Sequence, residues 1–204
     1  MNAGALIQCR SITKRFGRTK VLSDVDVSIG GGQVVGIVGE NGSGKSTLLQ
    51  ILAGIMPPTN GSVEHHGSIG YCPQDALVFE ALTVTENLRY FGAAVGVTGS
   101  LFEKRAESLL TTLGLSQYRS RLVGQLSGGS KQKLNLVVAL LDDPAVLLLD
   151  EPCSGLDWEA YLSFWALADQ ARDAGKSVVI VSHLLHERGN FDAVLMLRNG
   201  ALSR

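Results

Sequence analysis

The sequence predicts an α/β fold with a mostly parallel central sheet. The observations that indicate the parallel sheet lie in the second half of the chain. Three short runs rich in Val, Ile and Leu, at 145–149, 177–181 and 193–197, have the character of fully buried strands. A helical pattern at about 159–174 separates the first two runs, and such alternation is typical of a parallel sheet covered by helices. The Asn-Gly pair at 199–200 fits a tight hairpin turn. The 204 residues suit one domain, or one domain with a small inserted lobe.

The first part of the chain predicts further strands and a helix that follows a glycine-rich loop. Two early segments alternate apolar and polar residues, as half-buried strands do, and a third is a short β-branched run. The helix after the loop is ended by Gly54 and Pro57. The elements predicted here are strands at 6–9, 21–29, 34–38 and 68–72 and a helix at 46–53.

The middle of the chain changes character and predicts a mostly helical lobe. Helical spacing extends over 86–91 and 102–113, with glycines as breakers, and another helix is predicted at 130–141. We therefore expect a single domain with its core at about 1–76 and 129–204 and a helical lobe at about 77–128.

Composition restricts the classes of partner. The chain has 18 basic and 19 acidic residues and a net charge of -1, so the overall charge gives no reason to expect a nucleic-acid partner. No run reaches the 18 or so apolar residues that a membrane-spanning helix needs, and the N-terminus lacks the pattern of a signal peptide. The three cysteines are scattered, as expected of reduced residues. We expect a cytoplasmic protein that reaches a membrane only through a partner.

The strongest local signal is the run Gly-Glu-Asn-Gly-Ser-Gly-Lys-Ser at 39–46, which fits the phosphate-binding pattern G-x-x-x-x-G-K-[ST]. Its glycines let backbone N–H groups turn towards phosphate oxygens, and the following helix adds the positive end of its dipole. Lys45 would contact the β and γ phosphates, and the Ser46 hydroxyl would ligate Mg²⁺. The residues expected to hold ATP here are Gly39, Asn41, Gly42, Ser43, Gly44, Lys45, Ser46 and Thr47.

A second signal is the apolar run that ends in Asp150 and Glu151. A buried strand with acids at its end places carboxylates at the carboxyl edge of a parallel sheet, where ligands bind in open α/β folds. Asp150 would hold Mg²⁺, directly or through water, and Glu151 would take a proton from the attacking water or orient it. Alone, aliphatic residues ending in two acids are a weak signal, but downstream of a phosphate loop the signal is strong.

A third signal, Leu-Ser-Gly-Gly-Ser at 126–130 before a predicted helix, resembles the signature sequence L-S-G-G-Q of the ABC ATPase family. Ser127, Gly128 and Gly129 would form a second anion cradle at a helix start. The resemblance implies that this loop contacts the γ-phosphate bound to the opposite subunit of a homodimer or heterodimer. It also implies a P-loop NTPase core with an antiparallel β portion near the N-terminus and an inserted helical lobe.

Other elements of the family are present in the expected order. Together with the three motifs above, they span residues 16–183. Phe16 stands where the family has an aromatic residue that stacks on adenine, although a plain core position is the alternative. Gln74 resembles the Q-loop glutamine, which would sense Mg²⁺ and the attacking water. Residues 154–157 resemble the D-loop at the dimer interface, and His183 resembles the switch histidine that reaches the γ-phosphate. By this resemblance the catalytic residues are Glu151, His183, Gln74 and Lys45, and the metal ligands are Ser46, Gln74 and Asp150.

The chain departs from the family pattern in two places. Ser130 replaces the usual signature glutamine, which removes a long amide near the neighbouring nucleotide, but the rest of the signature remains and we expect activity to survive. The stretch at 58–67 is short for the family and suggests a trimmed loop in the β portion. Lys131 and Lys133 are expected to form a solvated helix face and not a nucleic-acid surface.

The resemblance implies an ATPase that uses Mg²⁺ and powers a membrane transporter whose permease is a separate polypeptide. The apolar segment 76–84 corresponds to the region where family transporters receive a helix of the membrane subunit, although packing inside the helical lobe is the alternative. Residues 82–88 resemble ABC-2-type exporters, which favours export over import. Two other readings stay open: a soluble ABC ATPase switch, for example in iron–sulfur assembly, and a non-hydrolysing module. The presence of Glu151 and His183 argues against the second.

Overall fold

The computed structural model describes residues 4–182 and 189–203, and the chain divides into two compact units. The first unit comprises Met1–Tyr71, Ala145–Glu151 and Ala168–Arg204. The second comprises Cys72–Pro144 and Pro152–Leu167. The second unit contains the helical lobe expected at about 77–128 and takes in further residues on both sides of it.

The strands and helices predicted from the sequence are confirmed, most of them with bounds within three residues. Strand β1 is the exception, because it continues well beyond the predicted segment. In chain order, the elements of the described residues are β1 (Ile7–Phe16), β2 (Thr19–Ile29), β3 (Gln33–Val38), α1 (Lys45–Leu52), β4 (Asn60–His65), β5 (Ile69–Cys72), α2 (Val84–Ala94), α3 (Gly99–Thr112), α4 (Gly128–Leu140), β6 (Val146–Asp150), α5 (Trp158–Asp173), β7 (Ser177–Ser182), β8 (Ala193–Arg198) and β9 (Ala201–Ser203).

The first unit is built on two sheets. A three-stranded antiparallel sheet has the order β2-β1-β4, which confirms the antiparallel portion expected near the N-terminus. The larger sheet has the order β5-β6-β7-β3-β8-β9. Strands β6, β7, β3 and β8 run parallel, and β9 returns antiparallel to β8. Asn199 and Gly200 form the predicted hairpin turn, with φ angles of 49° and 76°.

The sequence predicts a trimmed loop in the β portion at 58–67 and does not predict strand β4 within it. Strand β4 forms the edge of the smaller sheet, where Val63 pairs with Cys9 of β1. Val63 is half-buried and the other residues of β4 are exposed. A strand with one apolar residue has no alternating pattern, so its pairing with β1 determines its conformation.

The register of the larger sheet brings the carboxyl ends of three strands together. Strand β7 pairs in register with β3 as far as the pair Val38–Ser182, and with β6 as far as the pair Asp150–Val181. The glycine-rich loop that begins at Gly39 and the two acids of the β6 end therefore leave the sheet at the same edge. This edge is where ligands bind in open α/β folds.

The hydrophobic core of the first unit packs beneath this sheet. Helix α1 packs on β6 and β7, and apolar side chains from both sheets join it. Burial of a Leu or Ile side chain stabilises a fold by about 1.5–3 kcal/mol. The large, fully buried aliphatic side chains of this unit include Ile7, Ile12, Leu22, Ile29, Ile37, Leu48, Leu49, Ile51 and Leu52.

The second unit has helices α2, α3 and α4 packed on one another. Helix α2 begins with a capping box, in which the Thr83 hydroxyl accepts from the N–H of Glu86 at 3.2 Å and the Glu86 carboxylate accepts from the N–H of Thr83 at 2.8 Å. The buried side chains of the second unit include Leu88, Leu110 and Leu134. Within 4–182 and 189–203, no helix combines the length and hydropathy that crossing a bilayer requires.

Candidate functional site

The glycine-rich loop connects β3 to α1 and has a backbone that requires glycine at specific positions. Gly42 and Gly44 have φ angles of 77° and 103°, in the region that side chains disfavour. A Cβ atom at Gly39 would collide with the carbonyl oxygen of Leu197. Helix α1 begins at Lys45 directly after the loop, so its unpaired N–H groups lie beside the loop. The glycine-rich loop predicted from the sequence therefore lies between β3 and the start of α1 in the first unit.

Lys45 lies across this loop and is almost completely buried, with 7% of its surface exposed. Its Nζ donates to the carbonyl oxygens of Gly39 at 2.8 Å and Glu40 at 2.9 Å. Both acceptors are neutral, so they orient the ammonium group without neutralising its charge. The positive charge remains available for an anion held by the loop.

Asp150, at the end of β6, has only 3% of its surface exposed. Burial raises the pKa of this carboxyl, whereas a hydrogen bond with Ser46 and the charge of Lys45 act in the opposite direction. Among the described residues, Oδ1 of Asp150 has no hydrogen-bond partner. A buried carboxylate oxygen without a partner, next to a hydroxyl group, fits a divalent cation of the Mg²⁺ type.

Glu151 has an unusual backbone conformation for a residue that is not glycine, with a φ angle of 51°. Its N–H donates to the carbonyl oxygen of Val181 at 3.0 Å, which holds the turn at the end of β6. Such a conformation costs about 1–3 kcal/mol and occurs most often where function demands a particular side-chain direction. Glu151 as a whole is half-buried.

A cleft of about 650 Å³ lies beside the glycine-rich loop in the same unit. Its lining includes residues that the sequence did not indicate, because they come from two hairpins that are far apart in the chain. The N–H of Ser23 donates to the carbonyl oxygen of Gly200 and joins these hairpins. Phe16 is 49% exposed, and Lys14 Nζ lies 5.2 Å from its ring centroid. The core alternative for Phe16 is thereby contradicted. The cleft is lined by Thr19, Lys20, Val21, Glu40, Asn41, Gly42, Ser43, Leu197, Arg198, Asn199 and Gly200.

The signature-like segment forms the first turn of α4 in the second unit. The Ser127 hydroxyl caps the helix by accepting from the N–H of Ser130 at 3.2 Å, and it donates to the Ser130 hydroxyl at 3.0 Å. Ser130 thus helps to hold the Ser127 hydroxyl in its capping position. Gly128 is exposed, with open space where a Cβ would be, whereas a Cβ at Gly129 would lie 2.5 Å from the carbonyl oxygen of Gly155.

The two lysines after the signature segment do not form the expected solvated face. Lys133 keeps only 13% of its side chain exposed and donates to Asp157 at 2.6 Å. Asp157 also accepts from the N–H of Ala160 at 2.9 Å, and these bonds lower the pKa of its carboxyl. Lys131 pairs with Glu80. The expectation was wrong because both acids are distant in the sequence and meet the lysines only in the folded unit.

Gln74 and His183 complete the set of predicted site residues. Gln74 is exposed in the second unit, at a bend shortly after β5. His183 lies outside the described residues. The first unit therefore brings together the phosphate loop, Ser46, Asp150 and Glu151 at one sheet edge, and the second unit carries Ser127 and Gln74.

Comparison with known proteins agrees with this geometry. The family described as ABC transporter matches residues 22–154. An uncharacterized ABC transporter ATP-binding protein of Methanocaldococcus jannaschii is 33% identical over 95% of this chain and 74% of its own length. ABC transporter G family member 20 of Dictyostelium discoideum is 33% identical over 96% of this chain, which spans 28% of that protein. The Nod factor export ATP-binding protein I of Cupriavidus pinatubonensis is 32% identical over 90% of this chain and 60% of its own length.

Solved structures agree as well. The ATP binding subunit of an ABC transporter superposes with a TM-score of 0.92 and 27% identity, covering 98% of this chain and 88% of that one. A dimeric ATP-binding cassette in a post-hydrolysis state, bound to ADP and Pi, superposes with a TM-score of 0.87 and 26% identity over 97% of each chain. These matches extend over both units, and the chain therefore belongs to the ABC transporter family, of which it carries the ATP-binding ATPase domain.

Proposed function

We propose that this domain binds ATP with Mg²⁺ along the glycine-rich loop and hydrolyses the terminal phosphate. The observation that carries the proposal is the presence of two groups at one sheet edge, the buried ammonium of Lys45 and the carboxylate oxygen of Asp150 that has no hydrogen-bond partner among the described residues. One group is suited to phosphate and the other to a metal ion. The purified chain should release phosphate from Mg-ATP, and a folded chain that neither binds nor hydrolyses ATP would contradict the proposal.

Each residue of this edge has a role in the proposed reaction. The loop N–H groups and Lys45 hold the β and γ phosphates, and the cleft and the exposed ring of Phe16 receive the nucleoside. Ser46 and Asp150 would hold Mg²⁺, which supplies positive charge next to the phosphate oxygens. Water attacks the γ-phosphorus, the bond to the ADP oxygen breaks, and Glu151 accepts the proton of the attacking water. We assign Gln74 and His183 to the same reaction by family resemblance.

The proposed active unit is a dimer in which Ser127, Gly128 and Gly129 of one subunit contact the γ-phosphate on the other. The first turn of α4 supports this assignment, because Gly128 is exposed with nothing within 4 Å of the position of a Cβ, and the N-terminus of a helix attracts anions. A phosphate there would complete the helix terminus. The partner is a second copy of this chain or a related ATPase.

We also propose that the chain is a single domain with a core at about 1–76 and 129–204 and a helical lobe at about 77–128. We propose that the lobe docks onto separate transmembrane permease subunits, and that the protein is cytoplasmic and peripheral on the inner face of the cell membrane. Export is the proposed direction. The supporting observations are the ABC-2-like segment 82–88 and the relative that is named as a Nod factor export protein.

The proposed docking surface comprises Phe79 and Tyr90 and lies in the second unit. Phe79 is 44% exposed and Tyr90 is 55% exposed, and their ring centroids are 4.8 Å apart. Asn87 holds the loop beneath them, since it is fully buried and donates to the carbonyls of Phe79 and Thr83 at 3.0 Å. Phe79 lies on this loop and Tyr90 on helix α2, and aromatic side chains are enriched in binding surfaces. Partial exposure of this kind argues against the alternative of packing inside the lobe.

The docking surface gives a testable expectation. Phe79→Asp and Tyr90→Asp should move most of the protein from the membrane fraction of its native cells to the supernatant, because a charge at the centre of an apolar contact is desolvated. Leu101→Asp, which changes an equally exposed apolar residue of α3, is the matched control and should stay with the membranes. Unchanged membrane recovery of both folded aromatic variants would contradict this docking surface, and a wild-type chain that is absent from the membrane fraction would favour the soluble-switch reading.

A further inference from the structure

We propose that Asn135 is a positioning residue that holds the Gln74 loop, residues 73–77, in its working conformation and ties it to helix α4. This inference rests on the proposed function, because Gln74 has a task only at the nucleotide. Asn135 lies in the middle of α4, and only 3% of its surface is exposed. Neither the phosphate loop nor the signature segment contains it.

The amide group of Asn135 contacts both ends of the Gln74 loop. Its Nδ2 donates to the carbonyl oxygen of Pro73 at 2.9 Å and contacts the Cys72 sulfur at 3.2 Å. Its Oδ1 accepts from the N–H of Leu77 at 3.3 Å. The orientation of the amide follows from its partners, since a carbonyl oxygen can only accept and a backbone N–H can only donate.

The loop between these two contacts has little other support. In the part of the chain that the structure describes, the backbone groups of residues 74–76 make no hydrogen bond. Gln74 and Asp75 are exposed as well, so packing does not restrain them. The hydrogen bonds that fix the path of the loop are therefore those at its ends, and Asn135 makes them.

The residue type supports this role. Asparagine is a weaker helix former than leucine or alanine, and burial of an amide group without hydrogen-bond partners is destabilising. The hydrogen-bonding partners of the Asn135 amide, in Cys72, Pro73 and Leu77, all lie outside α4. The loop accounts for the asparagine, since it takes up both its donor and acceptor capacity.

The contact has a consequence for the reaction. Ser127 caps the same helix, so a displacement of α4 produced by a nucleotide at the signature segment would also displace both ends of the Gln74 loop. The signature segment contacts the nucleotide of the partner subunit, whereas Gln74 acts on the nucleotide of its own subunit. Asn135 thereby couples these two sites. Misplacement of a positioned group by about 1 Å can lower a rate by roughly 100-fold.

The test is a double-mutant cycle on ATP hydrolysis. Asn135→Leu and the smaller Asn135→Ala should each lower kcat by about tenfold or more, with the Kd for ATP changed by less than about twofold. In the Gln74→Ala background the same substitutions should cause no further loss, because they act through the glutamine. A general structural defect would instead lower kcat by the same factor in both backgrounds, and that result would overturn the inference.

The matched control is Asn87→Leu, which removes a buried asparagine of α2 that holds residues 79–83. It should lower the melting temperature to a similar extent and leave kcat within about twofold. Amide exchange at Leu77 should accelerate in Asn135→Ala and stay unchanged in Asn87→Leu. Unchanged exchange at Leu77, or a Gln74→Ala chain with wild-type kcat, would overturn the positioning role.

Failure of the proposed function is distinguished by the wild-type chain. If the wild-type chain bound no ATP and released no phosphate, the proposed function would fail, and the positioning role would fall with it. If the wild-type chain hydrolyses ATP and the two substitutions are additive, the proposed function stands and only the role of Asn135 is wrong.

Discussion

Lys45→Met should lower ATP hydrolysis by at least about 100-fold while the domain stays folded. The ammonium group is oriented by two neutral carbonyls at 2.8 and 2.9 Å, so its charge serves a ligand and not an ion pair of the fold. Removing one preorganised group that stabilises the charge of a transition state typically lowers kcat by 10²- to 10³-fold. Methionine keeps most of the length of the side chain and therefore fills the same space.

The measurement is phosphate release from Mg-ATP together with a thermal melt of each variant. Lys104→Met on the exposed surface of α3 is the matched control, since it removes one positive charge outside the loop. It should retain wild-type activity. Wild-type hydrolysis by a folded Lys45→Met chain would contradict the assignment of the glycine-rich loop as the phosphate site.

Glu151→Gln should produce a dimer that accumulates with Mg-ATP and is absent with ADP. Glutamine keeps the shape of the side chain but cannot accept a proton, and loss of a general base lowers a rate by roughly 10²- to 10⁴-fold. The bound ATP then persists and contacts both subunits, which stabilises the dimer by mass action. The backbone bond from residue 151 to Val181 is independent of the side chain, so the fold should be retained.

The location of Gly128 provides a sharp second variant. Nothing lies within 4 Å of the position that a Cβ would occupy, so both Gly128→Ala and Gly128→Asp should fold. In the Glu151→Gln background, Gly128→Asp should abolish the dimer, because a carboxylate would face the partner's γ-phosphate. Gly128→Ala adds the same Cβ without charge and should weaken the dimer much less.

Sedimentation or light scattering of these chains with each nucleotide is the measurement. ATP binding should survive in the Gly128→Asp monomer, because the segment acts on the nucleotide of the other subunit. Loss of ATP binding in that monomer would contradict the assignment in trans. A Glu151→Gln chain that stays monomeric with saturating Mg-ATP would contradict ATP-driven dimerisation of the isolated domain.

The order of elements and the first-unit site could be predicted because their signals are local. The buried runs that became β3, β6, β7 and β8 carry their own hydrophobic pattern, and the loop at 39–46 is a continuous stretch. The parallel sheet then required the β3 loop and Asp150 to meet at one edge. These features depend on neighbours in the chain or on a general rule of sheet topology.

The sequence by itself thus determined the family, the α/β core and the residues of the phosphate loop and the acidic strand end. Only the tertiary structure decided β4, the Lys133–Asp157 pair and the contacts of Asn135. Each of these joins segments far apart in the chain, and Asn135 lies 62 residues from Pro73. The physical reason is that an exposed strand, a lysine or a buried asparagine has no local pattern that identifies its partner, and the partner is selected only when the chain folds.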